Sequence, residues 1–161
     1  MPNKNINAYL NHHLAGSVAG LETLERLEAA EKGTPMAPIL TALRAEGAAD
    51  RRVLEELMSR LGVSESEMQK ATAWLGEKVF RALMPLNESS GELHLFLALE
   101  ALTLGLQGRR ALWLALSAAA QETAALQGLD YQTLARRAED QRDRVEALRL
   151  QAAKKALRLA Q

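Results

Sequence analysis

Apolar residues recur at helical spacing through most of the chain, and the breaks in that pattern divide it into segments. Ile6, Leu10, Leu14, Leu21, Leu24 and Leu27 form a broad stripe, which predicts a first helix to about Lys32 with Asn5 or Asn3 as its cap. Gly33 suits the close of that helix, Thr34 the N-cap of the next, and Pro35 its first helical position. The second helix then runs to about Leu61 with Ile39, Leu43, Val53, Leu54, Leu57 and Leu61 inward, and Gly62 stops it. Ser64 followed by Glu67 is a capping box. It opens a shorter helix through Trp74, Leu75, Val79 and Leu83, which Pro85 ends. Residues 87–91, NESSG, read as a loop.

A third long helix is expected from about Glu92 to Gln127. From Leu93 to Leu106 it carries large apolar residues on nearly every side, a pattern of enclosure rather than of one buried face. Ala98, Ala101, Gly105, Gly108, Ala115 and Ala119 add a small-residue strip that permits close approach of a neighbouring helix. Gly128 ends the segment, Asp130 can cap a fourth helix, and Leu134, Ala138, Val145, Leu148, Ala152 and Leu159 face inward along it towards Gln161.

The layout is thus two helical hairpins, residues 3–62 and 91–161, joined by a partly helical connection over residues 63–90. A short loop would make neighbouring helices antiparallel, whereas a connection this long can run the length of a bundle and set the second and third helices parallel. The expected fold is one all-α domain over residues 1–161. It is a four-helix bundle with one long crossover between helices two and three.

Composition agrees with helices and narrows the chemistry. Of 161 residues, 48% are hydrophobic but only 4% aromatic, so Leu and Ala must build the core. Twenty basic residues balance twenty acidic ones, which leaves no global field to attract nucleic acid. Basic residues between Arg136 and Arg158 are interrupted by Glu139, Asp140, Asp143 and Glu146, the pattern of a solvated, salt-bridged helix face. The absence of cysteine excludes disulfides, thiolate zinc sites and cysteine nucleophiles. With a polar N-terminus and no apolar run of membrane-spanning length, the expectation is a cytoplasmic protein that does not enter a membrane.

Polar residues on the inward stripes are the candidates for function. Asp50 lies near the centre of the stripe of helix two, with Glu46 one turn earlier on its flank and Gly47 between them. Glu100, Thr103, Gln107 and Arg110 form a polar seam on helix three. His13 and Ser17 fall on the stripe of helix one, Gln141 on that of helix four, and Lys155 at its edge. Folding the hairpins at Gly33 and Gly128 brings Ser17, Glu46, Asp50, Glu100, Thr103 and Lys155 to one depth. The expectation is a mid-bundle polar layer, neutralised by Lys155 and by Arg149 or Arg110. The plainer readings are a solvated Glu46, a structurally paired Asp50, a Glu100 seam on the outside of helix three, and Trp74 and Trp113 as packing.

Two antiparallel hairpins and a long crossover, with the phrases HHLAGSVAGLETLERL (residues 12–27) and LRAEGAADRRVLEELMSRLG (residues 43–62), resemble small bacterial members of the ferritin-like superfamily. Metal-using bundles of that kind supply one Glu from each of two helices and a Glu-x-x-His motif from each of the others. Here Ala49 follows Glu46 at the third position and Arg142 follows Glu139, so neither histidine is present. The resemblance therefore implies the scaffold with its metal centre absent or reduced to a salt-bridged remnant, and no cofactor. The expected role is a non-enzymatic structural or interaction module, a homodimer through helix three or the crossover helix. The alternative is a carboxylate-bridged di-iron or di-manganese oxidoreductase with the unconventional ligands Glu46, Asp50, Glu100 and His13. No glycine-rich phosphate loop follows a strand, and His13 with Ser17 lacks any oxyanion site, so those chemistries find no support.

Overall fold

The computed structural model describes residues 3–83 and 91–159, and the side chains of residues 3–74 and 91–159. Among the described residues there are five α-helices and one short 3-10 turn, and no strand. They are α1 (Lys4–Ala30), α2 (Ala37–Arg60), α3 (Glu65–Leu83), α4 (Gly91–Ala119) and α5 (Tyr131–Ala156), with the 3-10 turn at Ala124–Leu126. The fold is all-α. No described helix is long and apolar enough to cross a membrane.

Local chemistry explains most of the boundaries. Asn3 caps α1 by accepting from the Asn5 amide at 3.0 Å, and Asp130 caps α5 by accepting from the Thr133 amide at 3.0 Å. At the start of α3, the Ser64 amide donates to Glu67 at 2.9 Å while the Glu67 amide donates to the Ser64 hydroxyl at 3.3 Å, the reciprocal bonds of a capping box. Gly33, Gly62 and Gly128 follow the ends of helical or turn segments at φ values of 83°, 84° and 102°, where a side chain would be strained. Pro85 and residues 87–90 lie outside the described residues, as do the side chains of Leu75, Val79 and Leu83; Gly91 begins α4 rather than ending a loop.

Three boundary expectations need correction. Pro38, not Pro35, occupies the first turn of α2, and Leu40 rather than Ile39 is the buried residue there. A stripe through Leu40, Leu43, Gly47, Asp50, Leu54 and Leu57 leaves Ile39 well to one side. The larger correction is that α4 ends at Ala119, eight residues before the expected Gln127. Leu126 is drawn into the core, and the Tyr131 hydroxyl and the Gln127 side chain donate to the Leu126 and Ala120 carbonyls. A continuous helix could not bury Leu126 in that position. Arg60 closes the same corner by donating to the Gln127 carbonyl at 3.1 Å.

Contacts between side chains give the helix directions. Glu28 on α1 meets Thr41 and Arg44 on α2 across an antiparallel hairpin. Gln107 meets Arg142 and Glu100 meets Arg149, so α4 and α5 are antiparallel as well. Glu46 pairs with Arg144 and Asp50 with Arg137, which sets α2 against α5 in the same sense. Hence α2 and α4 run in one direction. α3 packs mainly against α1.

The core forms two separate clusters. One gathers Leu10 and Leu14 with Leu54, Leu57, Met58, Leu112, Trp113, Leu116, Leu134 and Ala138; the other gathers Leu24, Leu27, Leu40, Leu43, Phe96, Leu99, Leu102, Val145 and Leu148. Each contains residues of α1, α2, α4 and α5, so the division lies across all four helices at mid-height. Leu99 is fully enclosed, whereas Leu104 is 69% exposed. Leu99→Ala is therefore expected to cost about 2–5 kcal/mol in urea unfolding, and Leu104→Ala less than about 0.5 kcal/mol.

Candidate functional site

The plane dividing the two clusters is polar, and each of the four helices contributes to it. Ser17 on α1, Asp50 on α2 and Gln141 on α5 are buried, the last two at 2% and 1% exposure. Arg109 on α4 has a side chain only 13% exposed. Each stands midway between two leucines of its own helix, seven residues before and seven after. The sets are Leu10 and Leu24, Leu43 and Leu57, Leu102 and Leu116, Leu134 and Leu148. A seven-residue repeat keeps one side of a helix towards its neighbours. The same inward position in all four helices therefore changes from leucine to a polar residue at one level.

Gln141 links the charges of this layer. Its amide nitrogen donates to Asp50 Oδ2 at 2.9 Å and to Glu46 at 3.2 Å, while its carbonyl oxygen accepts from Arg109 Nη1 at 3.4 Å. Arg109 Nη1 also lies 3.8 Å from Asp50 Oδ2, and Arg137 Nη2 lies 3.0 Å from Asp50 Oδ1. That last contact is an ion pair out of line for a hydrogen bond, so Oδ1 has no hydrogen-bond donor among the described residues. Glu46, at the rim, is gripped through both oxygens by Arg144, with one bond of 3.0 Å. This bidentate clasp, together with Gln141, holds the Glu46 carboxyl below its ordinary pKa. Gly47 admits the neighbouring helix: a Cβ there would sit 3.1 Å from Leu21.

Burial pushes the Arg109 guanidinium pKa down, an effect that Asp50 opposes and Arg137 reinforces. His13, one turn before Ser17, is lowered to about 4 by burial, by His12 and by Arg109. It packs edge-on against the rings of Tyr9 and His12 rather than against a carboxylate.

Beside the layer is a cavity of about 440 Å³ between α1 and α4. Gly16 and Gly20 line it from α1, Gly105 and Gly108 from α4, and His13, Ser17, Arg109 and Gln141 join them at or near the level of the polar layer. The two glycines of the α4 small-residue strip do not bring a helix into contact. No atom lies within 4 Å of where a Cβ at Gly105, Gly108 or Gly16 would be.

Ser17, Glu46 and Asp50 thus share one level, but three other expected members do not join them. Lys155 is exposed near the end of α5. Glu100 lies half outside and is paired with Arg149 at 3.0 Å. The Thr103 hydroxyl bonds back to the Leu99 carbonyl of its own helix at 3.0 Å. The physical reason is the early end of α4. A turn centred near residues 124 and 125, not Gly128, sets Arg149 opposite Glu100 and Gln141 opposite Arg109. Arg110, the other cation expected, reaches Glu139 at 3.8 Å on the outside.

The cations that do serve the layer, Arg109, Arg137 and Arg144, escaped the sequence reading. Arg109 was the recoverable one, because Leu102 and Leu116 mark its position as inward. Among the described residues, no three His, Asp or Glu are grouped so as to hold a metal ion. No family model, curated protein or solved structure matches the chain.

Asp50→Ala would strand Arg109 and Gln141 in the core and is expected to destabilise the fold by about 3–5 kcal/mol. Glu46→Ala, at the solvated rim, is expected to cost no more than about 1 kcal/mol. Denaturant titration of both variants checks the contrast. Acid supplies a second test. Unfolded His13 takes up a proton near pH 6.5 and the folded ring only near pH 4, so between these values the unfolded chain binds more protons. The stability present above pH 6.5 is lost as pH falls towards 4, on the order of 1 kcal/mol after solvent screening. His13→Gln is expected to flatten that part of the stability–pH curve.

Proposed function

We propose that this chain is a non-enzymatic, ferritin-like four-helix bundle that serves as a structural and interaction module. In this reading α1, α2, α4 and α5 are the bundle, α3 belongs to the long crossover, and the polar layer is a salt-bridged remnant where metal-using relatives carry ligands. The parallel course of α2 and α4 favours the one-crossover arrangement. The observation that carries the functional reading is the engagement of Asp50. One oxygen accepts from Gln141 and the other faces Arg137 at 3.0 Å, so the central carboxylate is held by protein cations and an amide.

A metal-dependent oxidoreductase using Glu46, Asp50, Glu100 and His13 would need those four groups to converge. Glu100 instead pairs with Arg149 and Glu46 with Arg144, while His13 meets the rings of Tyr9 and His12 edge-on. The outward apolar residues of α4, Leu104 above all, give the module a surface for self-association as a homodimer.

Elemental analysis of protein expressed with added iron and manganese is expected to find neither in stoichiometric amount. Near-stoichiometric metal that disappears in Asp50→Ala would overturn the reading. Light scattering across micromolar concentrations is expected to give the mass of a dimer, and a monomer throughout would remove the self-association.

A further inference from the structure

We infer that the cavity between α1 and α4 is a binding site for a single-chain amphipathic carboxylate, a medium-chain fatty acid in chemical class, with Arg109 holding its headgroup. The inference stands on the cavity and its charged end, whether or not the bundle dimerises.

The cavity's volume of about 440 Å³ is that of a small-molecule site. On α1 the lining extends from His12 to Leu24, and its apolar stretch beyond Ser17 covers about 10 Å at 1.5 Å per residue. Away from the polar layer the walls are Leu21, Leu24, Leu43, Leu102, Leu106 and Val145, and Gly105 with the exposed Leu104 lies at the edge. Such walls suit a hydrocarbon chain and offer no partner for polar groups along it.

The other end selects the sign of the headgroup. Arg109 makes both of its polar contacts through Nη1, and Nε and Nη2 have no hydrogen-bond partner among the described residues. Those two nitrogens form the edge of a guanidinium that grips a carboxylate with two parallel bonds. The neighbouring ion pairs agree: Arg144 is taken by Glu46 and Asp140, whereas Arg109 and Arg137 share the single carboxylate of Asp50. Of these two guanidiniums, Arg109 is the one that lines the cavity. His13 adds no second positive charge there at neutral pH, because its pKa is lowered to about 4. Ser17 and Gln141 stand at the same end as further polar neighbours. A cationic headgroup would meet Arg109 with like charge, and a neutral one would leave its donors unanswered.

Isothermal titration with decanoate, 1-decanol and decyltrimethylammonium tests the assignment on the intact chain. Decanoate is expected to bind one per chain. 1-Decanol is expected to bind at least about tenfold more weakly, for want of a charge-assisted pair, and the ammonium not measurably. Gly105→Leu places a side chain at the edge of the cavity, at a helical position with open space, so it retains the fold and should sharply weaken binding. Arg109→Gln should erase the preference for decanoate over 1-decanol. Absence of decanoate binding, equal binding of the alcohol, or unchanged binding by Gly105→Leu would each overturn the site. If decanoate fails to bind and Gly105→Leu instead dissociates a dimer, the cleft belongs to a second copy and the inference falls.

Discussion

A carboxylate enclosed in a leucine core must be neutralised where it stands, and the demand of Asp50 organises the middle of this protein. An isolated ion there would cost several kcal/mol in lost hydration. Three helices meet the requirement together: α2 supplies the anion, α4 and α5 the guanidiniums, and α5 the amide that joins Asp50 to Glu46. The two apolar clusters are separated by this layer, not by a change of fold.

The arrangement also fixes register. Leucines flank the polar position at seven residues on every one of the four helices. A helix sliding by two turns would set a leucine against Asp50 and a charge or amide against hydrocarbon. Stability alone does not require a buried ion pair, since apolar replacements often do as well. Specifying one alignment among several similar leucine ladders is a use such a layer serves here.

How much of this was legible followed from the range of each signal. Helix starts were local, and Asn3, Ser64 with Glu67, and Asp130 could be read from side chains that bond within a few residues. Asp50 and Gln141 stood out because polar residues on a leucine stripe are rare. The end of α4 was not local. Ala119 stops the helix because Leu126 is needed in a core assembled from distant segments, and nothing near Ala119 announces it. Misplacing that turn by a few residues exchanged Arg149 for Lys155 opposite Glu100. Arg109 was hidden differently: beside Arg110 it looks like half of a surface pair, and only the leucines seven residues away on each side reveal its direction.

Glycine at Gly16, Gly105 and Gly108 has a mechanical consequence. An alanine methyl would meet no atom within 4 Å at any of these positions, yet each keeps the residue that loses most backbone entropy in a helix, about 1 kcal/mol relative to alanine. The seam between α1 and α4 is thus softer than the joint between α4 and α5, which is clasped by side chains along its length. Amide hydrogens in the glycine-bearing turns should exchange with solvent ahead of those in α5, so one wall of the molecule can breathe while its ionic centre stays closed.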